Sequence, residues 1–444
     1  MPARPLLLLP EWIATVEPGE AVLHEHGILL EGGRIADLLP RDAALARYPG
    51  VETIERPGHL LTPGFINLHT HASMSLLRGF ADDIGLHSWL NDHIWPAESR
   101  CVSAEFVYDG ALLGCREMLL GGTTCFNDMY FFPESVGRAA RNLGMRAALG
   151  IIVFEFPSAY GSGPDDYLSK GTRLRDQWRD EPLISFTIAP HAPYTVSDDS
   201  FTKVAALADE LQLPVHLHVH ETAQEVDDAL RQHGERPIAR LARLGLLGPN
   251  LIAVHSVHLN DADIELYSRH GVSVAHCPHS NLKLGSGIAP VSRLLAQGIN
   301  LGIGTDGSAS NNQLDLLQEG RSAALLAKGI SGDAASFPAT AVLHAMTLGG
   351  AMALGLDDRL GSIRPGKQAD LVLVDLSSPS LRPVYDPVAQ LIYAARTSDI
   401  SDVWIGGKHV VHRQQFVDPA SRSALSEVVG RIPVWQNQIS DAGH

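Results

Sequence analysis

The chain has 444 residues, of which 45% are hydrophobic and 19% charged, a composition typical of a folded globular protein and not of a disordered or fibrous one. Asp and Glu outnumber Lys and Arg by 50 to 34, and the resulting net charge of −16 disfavours binding to nucleic acid or to an anionic membrane. The four cysteines form no CxxC pair, and the apolar run at residues 6–9 is too short for a signal peptide or a membrane span. We therefore expect a cytoplasmic protein.

Both ends of the chain predict short β-strands. Apolar runs flank Gly32 and Gly33 in the first segment, and Gly406 and Gly407 interrupt VWIGGKHVVH near the other end, as in two hairpins. The run ADLVLVDL predicts a further strand. Because the termini of a compact intervening domain are often close together, we predict one composite β domain from residues 1–60 and 365–444. The last residues of the chain carry no clear signal.

Between these segments, β-rich runs alternate with helix-length segments such as DDSFTKVAALADELQL. The eight runs are GFINLHTH, GTTCFNDM, MRAALGIIVFE, LISFTIAPH, PVHLHVHE, LIAVHSVH, VSVAHCPHS and NLGIGTDG. This alternation predicts an α/β fold, namely a (β/α)₈ TIM-type barrel over residues 61–364. A doubly wound open sheet is the alternative, but no GxGxxG follows the first run.

The ends of these runs carry mostly histidines, at the position where such barrels place their catalytic residues. Residues i and i+2 of a strand point to the same side, so the imidazoles of His69 and His71 can converge on one metal ion. Other runs end in further candidates, which are His216, His218, His220, Glu221, His255, His258 and Asp306. Spacing alone does not choose among the three histidines of the fifth run. Imidazole and carboxylate donors favour zinc, with iron or manganese as alternatives.

Nine further histidines are interpreted as ordinary hydrogen-bonded residues, since an isolated histidine is rarely a ligand. This group comprises His24, His26, His59, His87, His93, His233, His270, His409 and His412. Cys277 stands beside His276 and near His279, but no PCxxC follows, so a zinc site of the cytidine deaminase type is not supported. We interpret Cys277 as a small buried hydrophobe and leave the roles of His216, His220, His276 and His279 open.

Longer strings in the chain resemble a known family. They are PGFINLHTHASMSLLRG, HVHETAQE, VHSVHL, SNLKLGSGIAPV, LGIGTDGSASNN and IRPGKQADLVLVD. Together they are similar to the amidohydrolase superfamily and, with LLRGFADD, WPAE and APHAPY, to its methylthioadenosine/S-adenosylhomocysteine deaminase group. Chlorohydrolases and guanine deaminases are close to that group. The resemblance implies the same barrel and composite β domain.

The resemblance also implies roles for individual residues. The metal ligands of the family fall on His69, His71, His218 and Asp306, and the absence of a lysine at the end of the fourth run implies one metal per chain. Catalytic roles fall on Glu221, which protonates ring N1, on His255, which orients the oxygen, and on Asp306, which takes a proton from water. Substrate-binding roles fall on Glu98, His191 and Glu221.

The implied function is hydrolytic deamination of an adenosine-type nucleoside by a zinc-dependent aminohydrolase that forms a homo-oligomer. The alternatives are a guanine-type deaminase, a triazine chlorohydrolase, or a non-catalytic barrel that binds nucleosides.

Residues 151–167 determine which adenosine derivative we expect. Family members that use S-adenosylhomocysteine carry arginines there, whereas this stretch has no Arg or Lys but contains Phe154, Phe156 and Tyr160 together with acidic residues. We therefore expect 5′-methylthioadenosine to be preferred over S-adenosylhomocysteine. Cations from other segments, such as Arg78, Arg100 and Lys283, would weaken this preference if they reached the substrate.

Overall fold

The computed structural model describes residues 4–17, 19 and 22–441, which form two separate sheets flanked by helices. The first sheet begins with five N-terminal strands: β1 (Leu6–Ile13), β2 (Leu23–His24), β3 (His26–Glu31), β4 (Arg34–Pro40) and β5 (Glu52–Pro63). The second sheet has eight strands: β6 (Phe65–Thr70), β7 (Thr123–Asp128), β8 (Arg146–Val153), β9 (Ile184–Pro190), β10 (Val215–Val219), β11 (Leu251–His255), β12 (Ser273–His276) and β13 (Leu301–Ile303). The C-terminal part returns to the first sheet with β14 (Leu371–Asp375), β15 (Ile400–Ile405), β16 (Lys408–His412) and β17 (Gln415–Phe416).

The first sheet joins the two ends of the chain. Strand β5 pairs in parallel with β1 on one side and antiparallel with β14 on the other. The predicted hairpins are present as the antiparallel pairs β3–β4 and β15–β16, and their turns hold Gly32, Gly33, Gly406 and Gly407 at positive φ. Glycine adopts this conformation without the steric cost that a Cβ atom brings.

The second sheet is a barrel in which each strand pairs in parallel with the next in the chain, from β6 to β13. The ring closes between its first and last strands, where the backbone amides of Thr305 and Asp306 donate to the His69 carbonyl at 3.2 and 3.0 Å. The Asn67 side chain also bonds to Thr305. A Cβ atom at Gly304 would lie 2.9 Å from both His69 and Cys277, so glycine permits this close approach.

Helices cover the barrel and connect its strands. The α-helices are Arg41–Arg47, Leu86–Ser88, Trp95–Cys101, Ala104–Leu120, Pro133–Leu143, Pro164–Gln177, Asp198–Leu211, Ala223–His233, Pro237–Arg243, Asp261–His270, Pro278–Lys283, Val291–Ala296, Ser308–Asn311, Leu316–Ser331, Ala339–Met346, Leu348–Ala353, Pro387–Tyr393 and Pro419–Asp441. A π-helix spans Trp89–Ile94, and 3₁₀-helices span Ala72–Leu77, Pro379–Leu381 and Thr397–Asp399. Among the described residues, no helix is both long and apolar enough to cross a membrane.

The last helix, Pro419–Asp441, forms where the sequence carries no clear signal. It has Pro433 in its interior, and its buried residues Leu425, Val428, Trp435 and Ile439 join the same apolar cluster as the barrel residues. Arg431 and the indole of Trp435 both donate to the carboxylate of Asp109, which is fully buried in helix Ala104–Leu120. A buried carboxylate needs such partners, so this contact ties the C-terminal helix to the barrel.

The predicted fold class, an α/β TIM-type barrel with a β sheet built from both chain ends, is confirmed. Each of the eight predicted runs contains one barrel strand. The division into domains at residues 60 and 365 stays a prediction.

Candidate active site

The carboxyl ends of the barrel strands bring the predicted site residues together. His69 lies in β6, His218 in β10 and His255 at the end of β11, while His71 directly follows β6 and Asp306 lies three residues after the end of β13. In β10, Val215, Leu217 and Val219 join the large apolar cluster, so the intervening histidines are on the opposite face of the strand. All five site side chains therefore gather at one end of the barrel, because parallel strands end on the same side.

Four of these side chains place their donor atoms around one point. The Nε2 atoms of His69 and His71 each lie 3.3 Å from Asp306 Oδ1, and His218 Nε2 lies 3.2 Å from His69 Nε2. A tetrahedral ion with bonds of about 2.0–2.1 Å has its ligand atoms about 3.3 Å apart. These three spacings are therefore the ones expected between ligands of a zinc-sized ion.

The hydrogen bonds of the other ring nitrogens support the same conclusion. His71 Nδ1 donates to the Met129 carbonyl at 2.5 Å, and His218 Nδ1 donates to the His191 carbonyl at 2.7 Å. Since a carbonyl only accepts, each neutral ring carries its proton on Nδ1 and presents an Nε2 lone pair to the centre. His69 Nδ1 lies 2.8 Å from His216 Nε2, so a hydrogen bond to His216 orients the His69 ring.

The short helix Pro278–Lys283, which follows β12, holds two further site residues. Ser280 Oγ donates to Asp306 Oδ2 at 2.5 Å, so that Oδ1 remains directed at the histidines. Asn281 Oδ1 accepts from His255 Nδ1 at 2.8 Å, which leaves His255 Nε2 as the free acceptor, 3.7 Å from Glu221. Asp306 and His255 both have positive φ, a strained conformation that is common at functional sites.

Glu221 is held in place by its own turn. The backbone amides of His220 and Glu221 donate to the buried carboxylate of Glu225 at 2.9 and 2.8 Å. Burial raises the pKa of Glu221, which favours a protonated carboxyl group beside the cavity. A carboxyl group in this state can donate a proton to a bound molecule.

A cavity of about 720 Å³, its open mouth included, lies directly over the donor set. Glu98 lines it and accepts a hydrogen bond from the Tyr130 hydroxyl at 2.7 Å, and burial raises the pKa of Glu98 to about 7. His191 stacks on Phe154 with ring centroids 4.6 Å apart, and its Nδ1 bonds to Thr195 Oγ1. Burial lowers the pKa of His191 to about 3, so this ring is neutral.

The structure also places the histidines whose roles the sequence left open. His220 Nε2 accepts from the backbone amide of Ile238 in helix Pro237–Arg243, and His279 bonds to the buried Glu319 in helix Leu316–Ser331, so each histidine contacts a neighbouring helix. His276 is buried, and its Nδ1 has no hydrogen-bond partner among the described residues. His216 contacts His69 Nδ1 through its Nε2.

Seven of the eight predicted site residues line this cavity: His71, Glu98, His191, His218, Glu221, His255 and Asp306. The eighth, His69, is fully buried and contacts Asp306 at 3.3 Å. Their individual roles stay predictions. Sequence reasoning assigned nothing to Tyr130, Ser280 or Asn281. The string HSN, which overlaps the end of the seventh run, was the signal available for the last two, because polar residues after a barrel strand face the active site.

Replacing Ser280 by alanine is expected to weaken metal binding or turnover by about 10- to 100-fold, because Asp306 loses the hydrogen bond that orients it. Zinc affinity, measured by competition with a chelator, and kcat would be compared with those of Ser268→Ala, an equal change at a surface serine that bonds to the Gln297 carbonyl. Unchanged zinc affinity and kcat in Ser280→Ala would contradict this role.

Comparison with known proteins identifies the family. The amidohydrolase family profile matches residues 60–410. The chain belongs to the amidohydrolase family. A 5-methylthioadenosine/S-adenosylhomocysteine deaminase from Teredinibacter turnerae is 43% identical to this amidohydrolase over 428 residues, which cover 96% of each chain. The resemblance noted in the sequence is thereby confirmed.

Solved structures agree with this assignment. The crystal structure of an adenosine deaminase from Xanthomonas campestris with bound zinc superposes on this amidohydrolase with a TM-score of 0.95, at 47% identity over 98% of each chain. Atrazine chlorohydrolase from Arthrobacter aurescens complexed with zinc has a TM-score of 0.88 at 24% identity, covering 96% of this chain and all of its own. That second similarity shows the fold alone.

Proposed function

We propose that this amidohydrolase is a zinc-dependent aminohydrolase that converts 5′-methylthioadenosine to 5′-methylthioinosine and ammonia. The observation that carries the proposal is the donor set of three histidines and Asp306, with Glu221 and His255 facing the same cavity. A module that only binds nucleosides needs no such combination. The zinc in the Xanthomonas campestris relative supports zinc here.

One ion per chain is proposed, held by His69, His71, His218 and Asp306. When bound, such an ion lowers the pKa of a coordinated water towards ~7, so that hydroxide is available at neutral pH. A second ion of the kind bridged by a carboxylated lysine has no ligand here, because Pro190 and His191 occupy the end of β9 and no lysine is among the described residues that line the cavity.

The side chains around the donor set account for the proton transfers. Asp306, oriented by Ser280, accepts a proton from the attacking water, and His255 uses its free Nε2 to orient the oxygen at C6 of the purine. Glu221 donates a proton to ring N1, which avoids a full negative charge on the ring as water adds. Asp306 then passes the proton it took from water to the amino group, the C6–N bond breaks and ammonia leaves. The C6 hydroxyl returns a proton to Glu221 as the C6 carbonyl forms.

The other end of the substrate meets Glu98 and His191. Tyr130 donates to one oxygen of Glu98, which leaves the second oxygen to bind the ribose hydroxyl groups. His191 presents its remaining ring nitrogen on the substrate side, since its Nδ1 is engaged by Thr195. These two residues are proposed to position the nucleoside so that C6 lies over the donor set.

The 5′ substituent is proposed to lie among aromatic residues. Trp95, Phe131 and Phe156 line both the main cavity and an adjoining one that is also bounded by Val102 and Ala159. No Arg or Lys is among the described residues that line either cavity. A methylthio group suits this apolar wall, whereas the carboxylate of S-adenosylhomocysteine would lack a charged partner.

The cations of other segments do not reach these walls. Arg78 pairs with Glu117, and Lys283 pairs with Asp82 at 2.6 Å. Arg100 is not among the lining residues either. The acidic side chains of residues 151–167 are also directed elsewhere, since Glu155 accepts from the Ser197 amide. The proposed discrimination therefore rests on the apolar wall and the missing cation, not on repulsion.

Ammonia release is the test of the proposed activity. The metal-loaded protein would be assayed with 5′-methylthioadenosine, adenosine, guanine and a chlorotriazine, with ammonia and chloride measured separately. Ammonia from the adenine nucleosides supports the proposal. Ammonia from guanine alone, chloride from the triazine, or binding without any product would each contradict it.

The kcat/KM for 5′-methylthioadenosine is expected to exceed that for S-adenosylhomocysteine by at least about tenfold, because an unpaired buried carboxylate commonly costs ~1 to 3 kcal/mol. Side-by-side kinetics measure this ratio. Phe156→Arg, which places a cation on the apolar wall, is expected to reduce this ratio of kcat/KM values. An equal or higher kcat/KM for S-adenosylhomocysteine in the unmodified protein would contradict the prediction.

Two further expectations stay predictions. The homo-oligomeric state is tested by size-exclusion chromatography with light scattering, and the cytoplasmic location by fractionation of cells.

A further inference from the structure

A second cluster of imidazole and carboxylate groups lies in the composite sheet, on strands β15 and β16. Asp402 pairs with His412 across these strands, and Trp404 pairs with His409. The register shifts between the two pairs, so that β16 carries one extra residue, Val410. Without this bulge, histidines three residues apart would point to opposite faces. With it, both lie on the same face as Asp402.

Both imidazoles meet one carboxylate oxygen. Asp402 Oδ1 lies 2.9 Å from His409 Nε2 and 2.6 Å from His412 Nδ1, and the three ligand atoms are within 4.8 Å of one another. The Asp402 side chain is only 1% exposed, whereas His409 and His412 are 27% and 41% exposed. The two imidazoles are thus accessible to solvent, and the carboxylate beneath them is buried.

The second oxygen of Asp402 is buried and accepts no hydrogen bond from the described residues. Its nearest cation is Arg56, whose Nε lies 3.7 Å away. The carboxylate is held in a fixed place, because it lies in a strand and beneath two rings. A cation bound between this buried carboxylate and the two imidazoles would pair with the negative charge that Arg56 only partly balances.

We propose that Asp402, His409 and His412 form a second metal site, which takes a divalent transition ion such as Zn²⁺ with water in the remaining positions. Two imidazoles and a carboxylate are suitable ligands for zinc. On binding, each ring moves its proton to its other nitrogen, so that the nitrogen facing Asp402 becomes the ligand. A tetrahedral ion needs ligand atoms about 3.3 Å apart, so the partly exposed rings must open by several tenths of an ångström.

The second site is weaker than the barrel site for two reasons. It offers three protein ligands instead of four, and the positive charge of Arg56 opposes a bound cation. A bound ion would link β15 to β16 and stabilise the composite sheet. The site shares no residue with the barrel cavity, so this proposal stands independently of the proposed function.

Zinc titration of the full-length holoenzyme tests the proposal. After a chelating resin has removed weakly held metal, isothermal titration with Zn²⁺ is expected to show one additional equivalent that binds reversibly. His412→Ala is expected to lose this equivalent and to keep the turnover of the unmodified protein. His233→Ala, a change at an exposed histidine of helix Ala223–His233, is expected to bind as the unmodified protein does.

Trp404 provides a second readout. Its ring stacks on His409 with centroids 4.6 Å apart and planes 12° from parallel, so a quenching ion such as Cu²⁺ is expected to reduce its fluorescence. His409→Gln and His412→Ala should both abolish this part of the quenching, and either variant suffices if the other fails to fold. Absence of a second zinc equivalent, or its persistence in His412→Ala, would overturn the proposal.

Discussion

Replacing Glu221 by glutamine is expected to lower kcat by at least ~10² while the bound metal is retained. The amide keeps the shape of the side chain but cannot pass a proton to ring N1, and Glu221 is outside the set of four donors. Metal content by elemental analysis and single-turnover kinetics on 5′-methylthioadenosine would separate these two effects.

Glu210→Gln, the same change at an exposed position of helix Asp198–Leu211, serves as the control and is expected to leave turnover unchanged. Near-normal turnover in Glu221→Gln would show that Glu221 is structural and that N1 receives its proton by another route. Loss of metal in Glu221→Gln would instead show that Glu221 takes part in metal binding.

His218→Ala is expected to weaken metal binding by more than ~10² and to reduce turnover in parallel, because removal of a direct ligand costs more than loss of a supporting hydrogen bond. The unmodified protein is expected to retain one equivalent of metal after treatment with a chelating resin. Elemental analysis and zinc titration, with His233→Ala as the control, measure both quantities.

Full metal occupancy with an unimpaired rate in His218→Ala would remove His218 from the donor set. Two equivalents that both survive the resin would contradict a single tightly held ion. The proposed site at Asp402 does not add to the metal that survives the resin, because it is weak. It is tested separately by His412→Ala.

The strands and hairpins were predictable because their signals are local. Apolar runs of strand length, separated by helix-length segments, predict the barrel from β6 to β13, and the glycine pairs predict both hairpins of the composite sheet. Helix Pro419–Asp441 had no comparable signal. Pro433 interrupts its pattern, and its stability depends on the contact of Arg431 and Trp435 with Asp109, far away in the sequence.

In the candidate site, too, features with a local sequence signal were predictable, and those that depend on distant residues were not. Residue type and position at the end of a strand predict His69 and His71 as metal ligands, but the choice of His218 over His216 and His220 needed the resemblance to a family. Ser280 and Asn281 received no role, because their partners Asp306 and His255 are distant in the chain. His409 and His412 were interpreted as ordinary histidines, because a bulge that aligns them on Asp402 leaves no clear mark in the sequence.

The sequence by itself determined which chemical groups this amidohydrolase possesses and which of them follow a strand, since strand periodicity and residue type are properties of short segments. The tertiary structure alone decided which nitrogen of each ring is free and which carboxylate oxygen faces the donor set. It also decided which walls of the cavity lack a cation. Those features depend on hydrogen bonds between distant residues, such as Met129 with His71 and Ser280 with Asp306, and such bonds exist only after the barrel has closed.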